Sequence, residues 1–201
     1  RDGHRTRMKK AAPSYETQDL REFARVLRGR RTVDQYIQTP VPEELVNEAI
    51  EVATWAPNHH VTEPWRFILP GPETVARIID LNASIVAEKK TPAHAEHKSK
   101  SWQEKPGWLI VTCRYNEDEI REREDYAACS AAVHNFTLYL WKAGVGSKWT
   151  TGQVTRDARF FDIIGADPDA EFVVGMLWFG YPKITPQQSR KPLDEVLSKL
   201  P

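Results

Sequence analysis

The segment that most restricts the fold of this chain is residues 125–143, because it is apolar on almost every side of a helix. Ser130, His134 and Asn135 interrupt the apolar positions and make the segment too polar for a membrane span, which needs about 20 apolar residues. A helix that is apolar all round is buried on all sides. We therefore expect the central helix of a core or of a subunit interface, and a homodimer follows naturally.

Length and composition are those of an ordinary globular protein. The 201 residues are 40% hydrophobic and 28% charged, which suggests one domain with at most an appendage. The 28 basic residues balance the 28 acidic ones, so no overall field draws the chain toward nucleic acid or an anionic membrane. We therefore expect neither nucleic acid nor a membrane as a partner.

The first ten residues, RDGHRTRMKK, are basic and have no apolar run behind them, so we expect no secretory signal peptide. Residues 1–14 are predicted to form a flexible basic arm, and residues 15–201 to form one domain. The two cysteines, Cys113 and Cys129, form no CxxC motif. We interpret both as buried thiols, which fits a reducing, cytoplasmic setting.

Hydrophobic periodicity predicts a mixture of helices and strands. The predicted helices span residues 16–29, 42–56, 74–81, 125–143, 156–164 and 193–200. The predicted strands, rich in β-branched and aromatic residues, span residues 65–69, 108–113 and 172–179. The polar stretch at residues 84–106 is predicted to be a lid or excursion.

The motifs of several common chemistries fail or are missing. Gly144 and Gly146 follow a helix instead of a strand and lack the third glycine of a dinucleotide-binding loop. His94 and His97 have no third metal ligand nearby, so a solvated helix face is the better interpretation and no metal is predicted. The sequence has no GxSxG motif, and neither cysteine has the local setting of a nucleophile.

Two groups of arginines remain as candidates for a binding site. Arg28, Arg30 and Arg31 cluster at a predicted helix end, and Arg190 precedes Lys191 near the C-terminus. Guanidinium groups bind phosphate through paired, charge-assisted hydrogen bonds, so both groups could converge on one phosphate. The alternative, which composition alone favours, is a solvated basic helix end that interacts with the helix dipole.

Seven short motifs follow one another along the chain. They read GRRTV from Gly29, PVPEEL from Pro40, WAPNHHVTEPWRF from Trp55, AAVHN from Ala131, GVGSKWTTG from Gly144, VGMLWFGYP from Val174 and SRKPL from Ser189. In this order they resemble the FMN-dependent nitroreductase family, and particularly its short, single-domain branch, in which a His follows the Ala-Pro. The resemblance covers about residues 23–200.

The resemblance implies a nitroreductase-like α+β fold, with a mostly antiparallel sheet flanked by helices. Two chains would exchange extended arms in an interlocked homodimer, with FMN bound at the subunit interface. The residues implied for the phosphate and ribityl chain are Arg30, Arg31, Thr32 and Arg190. His59 and Glu63 would reach the flavin across the interface, and the backbone groups at the central ring would come from Thr150, Thr151 and Gly152.

The activity that the resemblance implies is that of an NAD(P)H oxidoreductase. NADH or NADPH would leave a hydride on the flavin N5 and depart, and a planar nitroaromatic, quinone or activated alkene would then take electrons in the same slot. No side-chain acid or base is required, so no catalytic residue is predicted. Trp102, Trp108 and Trp149 are candidates to line the slot, although a core position is the better interpretation for each.

Three residues depart from the family pattern. Val61 and Glu63 replace an Asn and a Gln, and Asp34 stands where many longer members carry a lysine that tunes the flavin edge. A carboxylate near a reduced, anionic flavin is unfavourable unless it is protonated or turned away. Two alternatives therefore stay open: a flavin-binding store, sensor or partner without turnover, and a specialised member that acts on the flavin or on a halogenated aromatic.

Overall fold

A four-stranded antiparallel sheet with helices on both faces forms the core of the protein. The computed structural model describes residues 17–201, and the basic arm predicted at residues 1–14 lies outside them. This architecture confirms the predicted α+β class with its mostly antiparallel sheet.

Six helices and four strands occur within the described residues. The helices are α1 (Gln18–Gly29), α2 (Glu43–Ala53), α3 (Pro72–Ala87), α4 (Pro92–Gln103), α5 (Glu119–Lys142) and α6 (Ala158–Ile164). The strands are β1 (Trp65–Ile68), β2 (Gly107–Arg114), β3 (Gly146–Thr150) and β4 (Glu171–Gly180). Short 3-10 turns occur at His59–Val61, Gln153–Arg156 and Leu193–Glu195.

The strands follow the order β1-β2-β4-β3, and each neighbouring pair is antiparallel. The central strands β2 and β4 are almost completely buried, which matches their long runs of apolar residues. The register shifts between Val111 and Thr112, and Val111 pairs with Gly175 of β4. A Cβ on Gly175 would lie 1.9 Å from the Nε1 of Trp149, so only glycine fits there. The Trp149 ring therefore packs directly over the β4 backbone.

The helices cover the two faces of the sheet as separate layers. In the first layer α2 and α5 pack on residues such as Leu109 and Val111. In the second layer α3, α4 and α6 pack on residues such as Trp108 and Ile110. Successive residues of β2 thus point into different layers, as the alternation of side chains along a strand requires.

α5 is the centre of the first layer. Cys129, Phe136 and Leu140 are fully buried against the sheet and α2, which confirms the predicted core position of this helix. One side of α5 stays partly exposed within a single chain, however. We name this side the open stripe, and its members, spaced three or four residues apart, are Ala127, Ala131, His134 and Leu138.

α4 forms where the sequence predicted a lid or excursion, and β3 forms in a segment for which no strand was predicted. Thr91 caps α4 by accepting a hydrogen bond from the His94 backbone N–H, and Pro92 occupies the first turn. Ala95 and Trp102 are the buried side chains that anchor this polar helix to the second layer. β3 forms because pairing with β4 turns a glycine-containing segment of weak strand propensity into an edge strand.

The prediction of a helix over residues 193–200 is wrong. Leu193–Glu195 forms one 3-10 turn, and every residue from 183 to 201 is exposed. So short a helix is marginal in water unless its apolar face packs on something. Leu193 and Leu200 find no such surface within the described residues.

Both cysteines are buried and free, as predicted. His94 and His97 lie on α4, and residues 17–201 contain no group of three or more side chains able to hold a metal ion. Within the same range, no helix combines the length and the apolar character needed to cross a membrane.

Candidate functional site

Residues 30–34, which we name the arginine loop, join the end of α1 to the edge of the sheet. Thr32 forms an isolated parallel bridge with Ser147 of β3, and the Val33 N–H donates to the Ser147 carbonyl at 3.0 Å. Val33 also packs against Gly146, where an added Cβ would lie 2.6 Å from the Val33 Cγ2. The loop is therefore fixed on β3 by backbone contacts and close packing.

Two other guanidinium groups act on Arg30 at this loop. Partial burial, together with the positive charges of Arg190 and Arg31, lowers the pKa of Arg30 below its usual value. Arg190 therefore lies within electrostatic range of the loop, although it is remote in the sequence. No carboxylate of residues 17–201 lies within ion-pair distance of these three side chains. The cluster carries unbalanced positive charge, which attracts an anion.

His134 of α5 is a neighbour of this cluster that the sequence interpretation did not assign to the site. Partial burial and the charge of Arg30 lower the pKa of His134. The imidazole is therefore mostly neutral at pH 7, with one nitrogen that donates and one that accepts a hydrogen bond. In the sequence His134 stands out only as a polar interruption of an apolar helix, because its proximity to Arg30 arises where the arginine loop meets α5 in the fold.

Thr150, Thr151 and Gly152 follow one another where the chain leaves β3. The Arg156 guanidinium donates to the Thr151 carbonyl at 3.0 and 3.2 Å. The Thr155 hydroxyl donates to the Gly152 carbonyl at 2.8 Å. These bonds fix the carbonyl groups of Thr151 and Gly152 and so hold the backbone of the turn in one conformation. The turn follows β3, the strand that also supports the arginine loop.

Residues 58–63, which we name the strained loop, contain backbone conformations that L-residues rarely adopt. The φ angles of His60, Val61 and Glu63 are 60°, 50° and 43°. Each such conformation costs about 1–3 kcal/mol and persists only where the surrounding structure imposes it. A loop that contains three of them must be held firmly from outside.

Side-chain hydrogen bonds provide that support. The Glu63 N–H donates to Asn58 Oδ1 at 2.7 Å, and the Thr62 hydroxyl donates to Asp125 Oδ1 at 2.5 Å. Arg114 Nη2 donates to the carbonyls of Thr62 and Glu63 at 2.9 and 2.8 Å. Asp125 is 3% exposed, so its carboxyl group is fixed in the core and anchors the loop on α5.

The strained loop carries His59 and Glu63, and both are exposed. A cavity of about 540 Å³ lies between this loop and α5, with Glu124 and Ala131 in its wall. The predicted site residues thus form two groups within one chain, one at the arginine loop and β3 and one at the strained loop. The open stripe of α5 runs from the second group toward the first, because Ala131 lines the cavity and His134 lies beside Arg30.

The three tryptophans considered for the slot have different environments. Trp102 and Trp108 are buried and pack edge-to-face with each other and with Trp178, and the three ring-centroid distances are 5.1 to 5.8 Å. Trp149 of β3 is 38% exposed, and its Nε1 donates to the Val174 carbonyl at 3.2 Å. Trp149 is thus the only one of the three that lies at the surface beside the turn.

Sequence comparison identifies relatives over most of the chain. Residues 27–181 match the profile described as Nitroreductase family. YfhC of Bacillus subtilis (strain 168), named as a candidate NAD(P)H nitroreductase, is 31% identical over 181 residues, which cover 87% of this chain and 92% of YfhC. Iodotyrosine deiodinase of Hydra vulgaris is 23% identical over 202 residues, which cover 89% of this chain and 72% of that protein.

Solved structures share the fold. A nitroreductase-like family protein from Bacillus cereus matches with a TM-score of 0.79 at 28% identity, over 94% of this chain and 99% of that chain. A candidate nitroreductase from Desulfovibrio desulfuricans, in complex with FMN, matches with a TM-score of 0.70 at 23% identity, over 89% of this chain and 96% of that chain. The fold is nitroreductase-like, as the motifs led us to expect, and the chain belongs to the nitroreductase family.

Proposed function

We propose that this protein is an FMN-dependent NAD(P)H oxidoreductase that works as a homodimer. Bound FMN would supply hydride and electron transfer at N5 between NADH or NADPH and a nitroaromatic, quinone or activated-alkene acceptor. The main observation behind the proposal is the cluster of Arg30, Arg31 and Arg190, whose positive charge no carboxylate of residues 17–201 pairs with. Two similarities support it: YfhC is named as a candidate NAD(P)H nitroreductase, and the similar Desulfovibrio protein is in complex with FMN.

The arginine loop fits the phosphate of FMN. Guanidinium groups bind a dianion through paired, charge-assisted hydrogen bonds, and a hydrogen bond to a charged group contributes about 1.5–3 kcal/mol. An anion would also offset the repulsion by Arg190 and Arg31 that helps to lower the pKa of Arg30. Thr32 adds an exposed hydroxyl in the same loop, and neutral His134 adds a hydrogen-bonding group beside it.

The turn after β3 fits the central ring of the flavin. Backbone N–H groups of Thr150, Thr151 and Gly152 would donate to the ring edge. Because Arg156 and Thr155 already fix the carbonyls of this turn, the donors would be held in place before the cofactor binds. The chain's own task is then to bind and orient the cofactor and to leave one face open for the substrates.

We propose the homodimer because a single chain leaves much apolar surface open. Phe23 and Trp55 are 58% and 79% exposed, and both line a groove of about 560 Å³ between α1, α2 and α5. The C-terminal segment exposes Leu193, Val196 and Leu200 at 69%, 67% and 89%. Exposed apolar side chains that line a groove mark an interaction site, and a second copy would offer both a groove and a segment to fill it.

The dimer would also unite the two groups of site residues. A twofold interface repeats the same contacts in both directions, so two α5 helices can pack antiparallel along their open stripes. Ala127 and Ala131 of one chain would then lie near His134 and Leu138 of the other. This packing would bring the strained loop, with His59 and Glu63, toward the arginine loop of the second chain.

The absorbance spectrum of the purified protein tests the proposed activity. We expect flavin bands that bleach when NADH or NADPH is added without oxygen and return when a quinone or nitroaromatic follows. A colourless protein that takes up no added FMN would contradict the proposal. Bands that neither nucleotide bleaches would support instead a flavin-binding protein without turnover.

A pair of variants tests the phosphate site itself. Arg190→Gln removes one guanidinium of the cluster, and we expect FMN binding to weaken by about 10- to 100-fold. Arg77→Gln is the matched control, because it removes the same charge from an exposed position on α3. Equal FMN affinity of Arg190→Gln and Arg77→Gln would contradict the assignment of Arg190.

A second candidate is reductive removal of a halogen from an aromatic ring. The likeness to the Hydra vulgaris iodotyrosine deiodinase over 89% of this chain favours it. Incubation of the reduced protein with iodotyrosine and with a nitroaromatic separates the candidates. Release of iodide, together with slow reoxidation by the nitroaromatic, would favour the second.

A further inference from the structure

Asp34, the last residue of the arginine loop, is held between two lysines from distant parts of the chain. Lys105 Nζ lies 3.2 Å from Asp34 Oδ1 and donates to the Asp34 carbonyl at 2.6 Å. Lys148 Nζ lies 3.1 Å from the same carboxylate oxygen. Partial burial alone would raise the pKa of Asp34, but hydrogen bonds from Lys148 and Lys105 lower it. Asp34 is therefore ionised at neutral pH, and the three side chains carry one net positive charge.

Lys105 is buried, which is unusual for a lysine, since its side chain is 5% exposed. A buried ammonium group is costly unless it is paired and hydrogen-bonded. The carboxylate and carbonyl of Asp34 supply both kinds of partner. The Nζ atoms of Lys105 and Lys148 also lie 5.2 and 5.4 Å from the ring centroid of Trp178, close enough for cation–π attraction. The three charged groups are thus fixed on the core of the second layer.

These contacts connect the two segments that are proposed to hold the cofactor. Asp34 lies two residues after Thr32 in the arginine loop, and Lys148 lies two residues before Thr150 in β3. Lys105 comes shortly before β2, so it ties the loop to the start of a central strand. Any movement of the arginine loop away from β3 would separate at least one of these charge pairs.

We propose that Asp34, Lys105 and Lys148 form a positioning cluster that sets the arginine loop against the end of β3, and that its net positive charge favours the reduced, negatively charged cofactor. This inference rests on the proposed function. Two cations from other segments outweigh the charge of the Asp34 carboxylate. The three residues act through the segments that they hold and through their combined charge.

The test measures the FMN dissociation constant and the midpoint potential of the bound flavin in Lys148→Gln and Asp34→Asn. Lys148→Gln makes the cluster neutral, so we expect about tenfold weaker binding and a shift of the potential to lower values. Asp34→Asn leaves two unpaired cations, so we expect weaker binding with a shift to higher values. Lys98→Gln is the control, because it removes the same charge from an exposed position on α4 and should change neither quantity.

Potentials that shift in opposite directions, with weaker binding in both variants, support the cluster. Unchanged binding, or potentials that move in the same direction, overturn it. Lys148→Arg retains the charge and should restore both quantities, and thermal unfolding without FMN shows whether each variant folds. If the unchanged protein binds no FMN, the proposed function fails; if it binds FMN and the variants behave like Lys98→Gln, only the cluster fails.

Discussion

The arginine loop and the strained loop are proposed to serve one cofactor, yet they are built in opposite ways. The arginine loop has no residue at positive φ, and a bridge to Ser147 and packing on Gly146 hold it in place. Its guanidinium groups have no acidic partner within residues 17–201. The strained loop has three residues at positive φ, and Asn58, Thr62 and Asp125 are engaged in holding it.

The difference separates two ways of preparing a site. Unbalanced charge in the arginine loop is relieved when an anion binds, so changes there should affect binding more than folding. Backbone strain in the strained loop is balanced by the chain's own hydrogen bonds, so changes there should affect folding more than binding. Four experiments test this difference between the two loops.

Thr62→Val should have the largest effect. It removes the hydroxyl that donates to Asp125 and leaves a buried carboxyl group without that partner, which should lower the free energy of unfolding by about 2–3 kcal/mol. Urea titration measures the change, and Thr54→Val, just after α2, is the control, because it also removes one hydroxyl hydrogen bond, to the Glu51 carbonyl, but at an exposed position. The FMN affinity of folded Thr62→Val should fall less than that of Arg190→Gln. A larger loss of affinity in Thr62→Val would contradict the proposed difference between the two loops.

Gly146→Ala should disturb the arginine loop by a smaller amount. The added Cβ would lie 2.6 Å from the Val33 Cγ2, so the loop must shift away from β3, at a cost of about 2 kcal/mol. Gly71→Ala is the control, because a Cβ there meets nothing within 4 Å. Calorimetric titration with FMN should show weaker binding for Gly146→Ala alone. Unchanged affinity would mean that the packing of the loop on β3 does not position its arginines.

Val61→Asn should stabilise the strained loop slightly. Val61 is β-branched and holds a φ of 50°, a left-handed conformation that Asn tolerates much better. We expect the free energy of unfolding to rise by about 0.5–1 kcal/mol, measured by thermal unfolding. A fall would show that exposed Val61 makes contacts in the assembled protein that outweigh the strain.

The pH dependence of stability should contain a small contribution from His134. Its folded pKa is lowered, so the unfolded chain binds the proton first as the pH falls. The contribution is complete above the usual histidine pKa and is lost as the pH falls toward the lowered folded value. Bound FMN phosphate should raise the pKa of His134 by offsetting Arg30, which an NMR titration would detect. His134→Gln should lack this part of the pH profile.

Much of the fold was predictable because local pattern and tertiary structure agree. From residue 125 onward α5 has almost no polar face, and β2 and β4 are runs of β-branched and aromatic residues, so each could take only one place in the core. α4 was missed because its polar composition hides it, although Thr91 followed by Pro92 is a start signal that sequence reading can use. β3 was missed because its strand conformation comes from pairing with β4 rather than from Gly146 and Ser147 themselves.

The site was predictable only through the motifs, and some of its parts could not be found that way. Lys105 and Lys148 look like ordinary surface lysines in the sequence, because their burial and pairing with Asp34 depend on three segments that meet only in the fold. The apolar positions of α1 predicted the helix correctly, yet Leu20 and Phe23 are 48% and 58% exposed in one chain. The pattern indicated an apolar face without indicating what covers it.

The edge-to-face packing of Trp102, Trp108 and Trp178 has an optical consequence. Indole rings tilted against one another with centroids 5.1 to 5.8 Å apart couple their electronic transitions. Coupled indoles give circular dichroism bands in the far ultraviolet that overlap those of the peptide backbone. A helix content calculated from such a spectrum would be distorted for this protein, and loss of the coupled bands on heating would report the melting of the second layer separately from the loss of its helices.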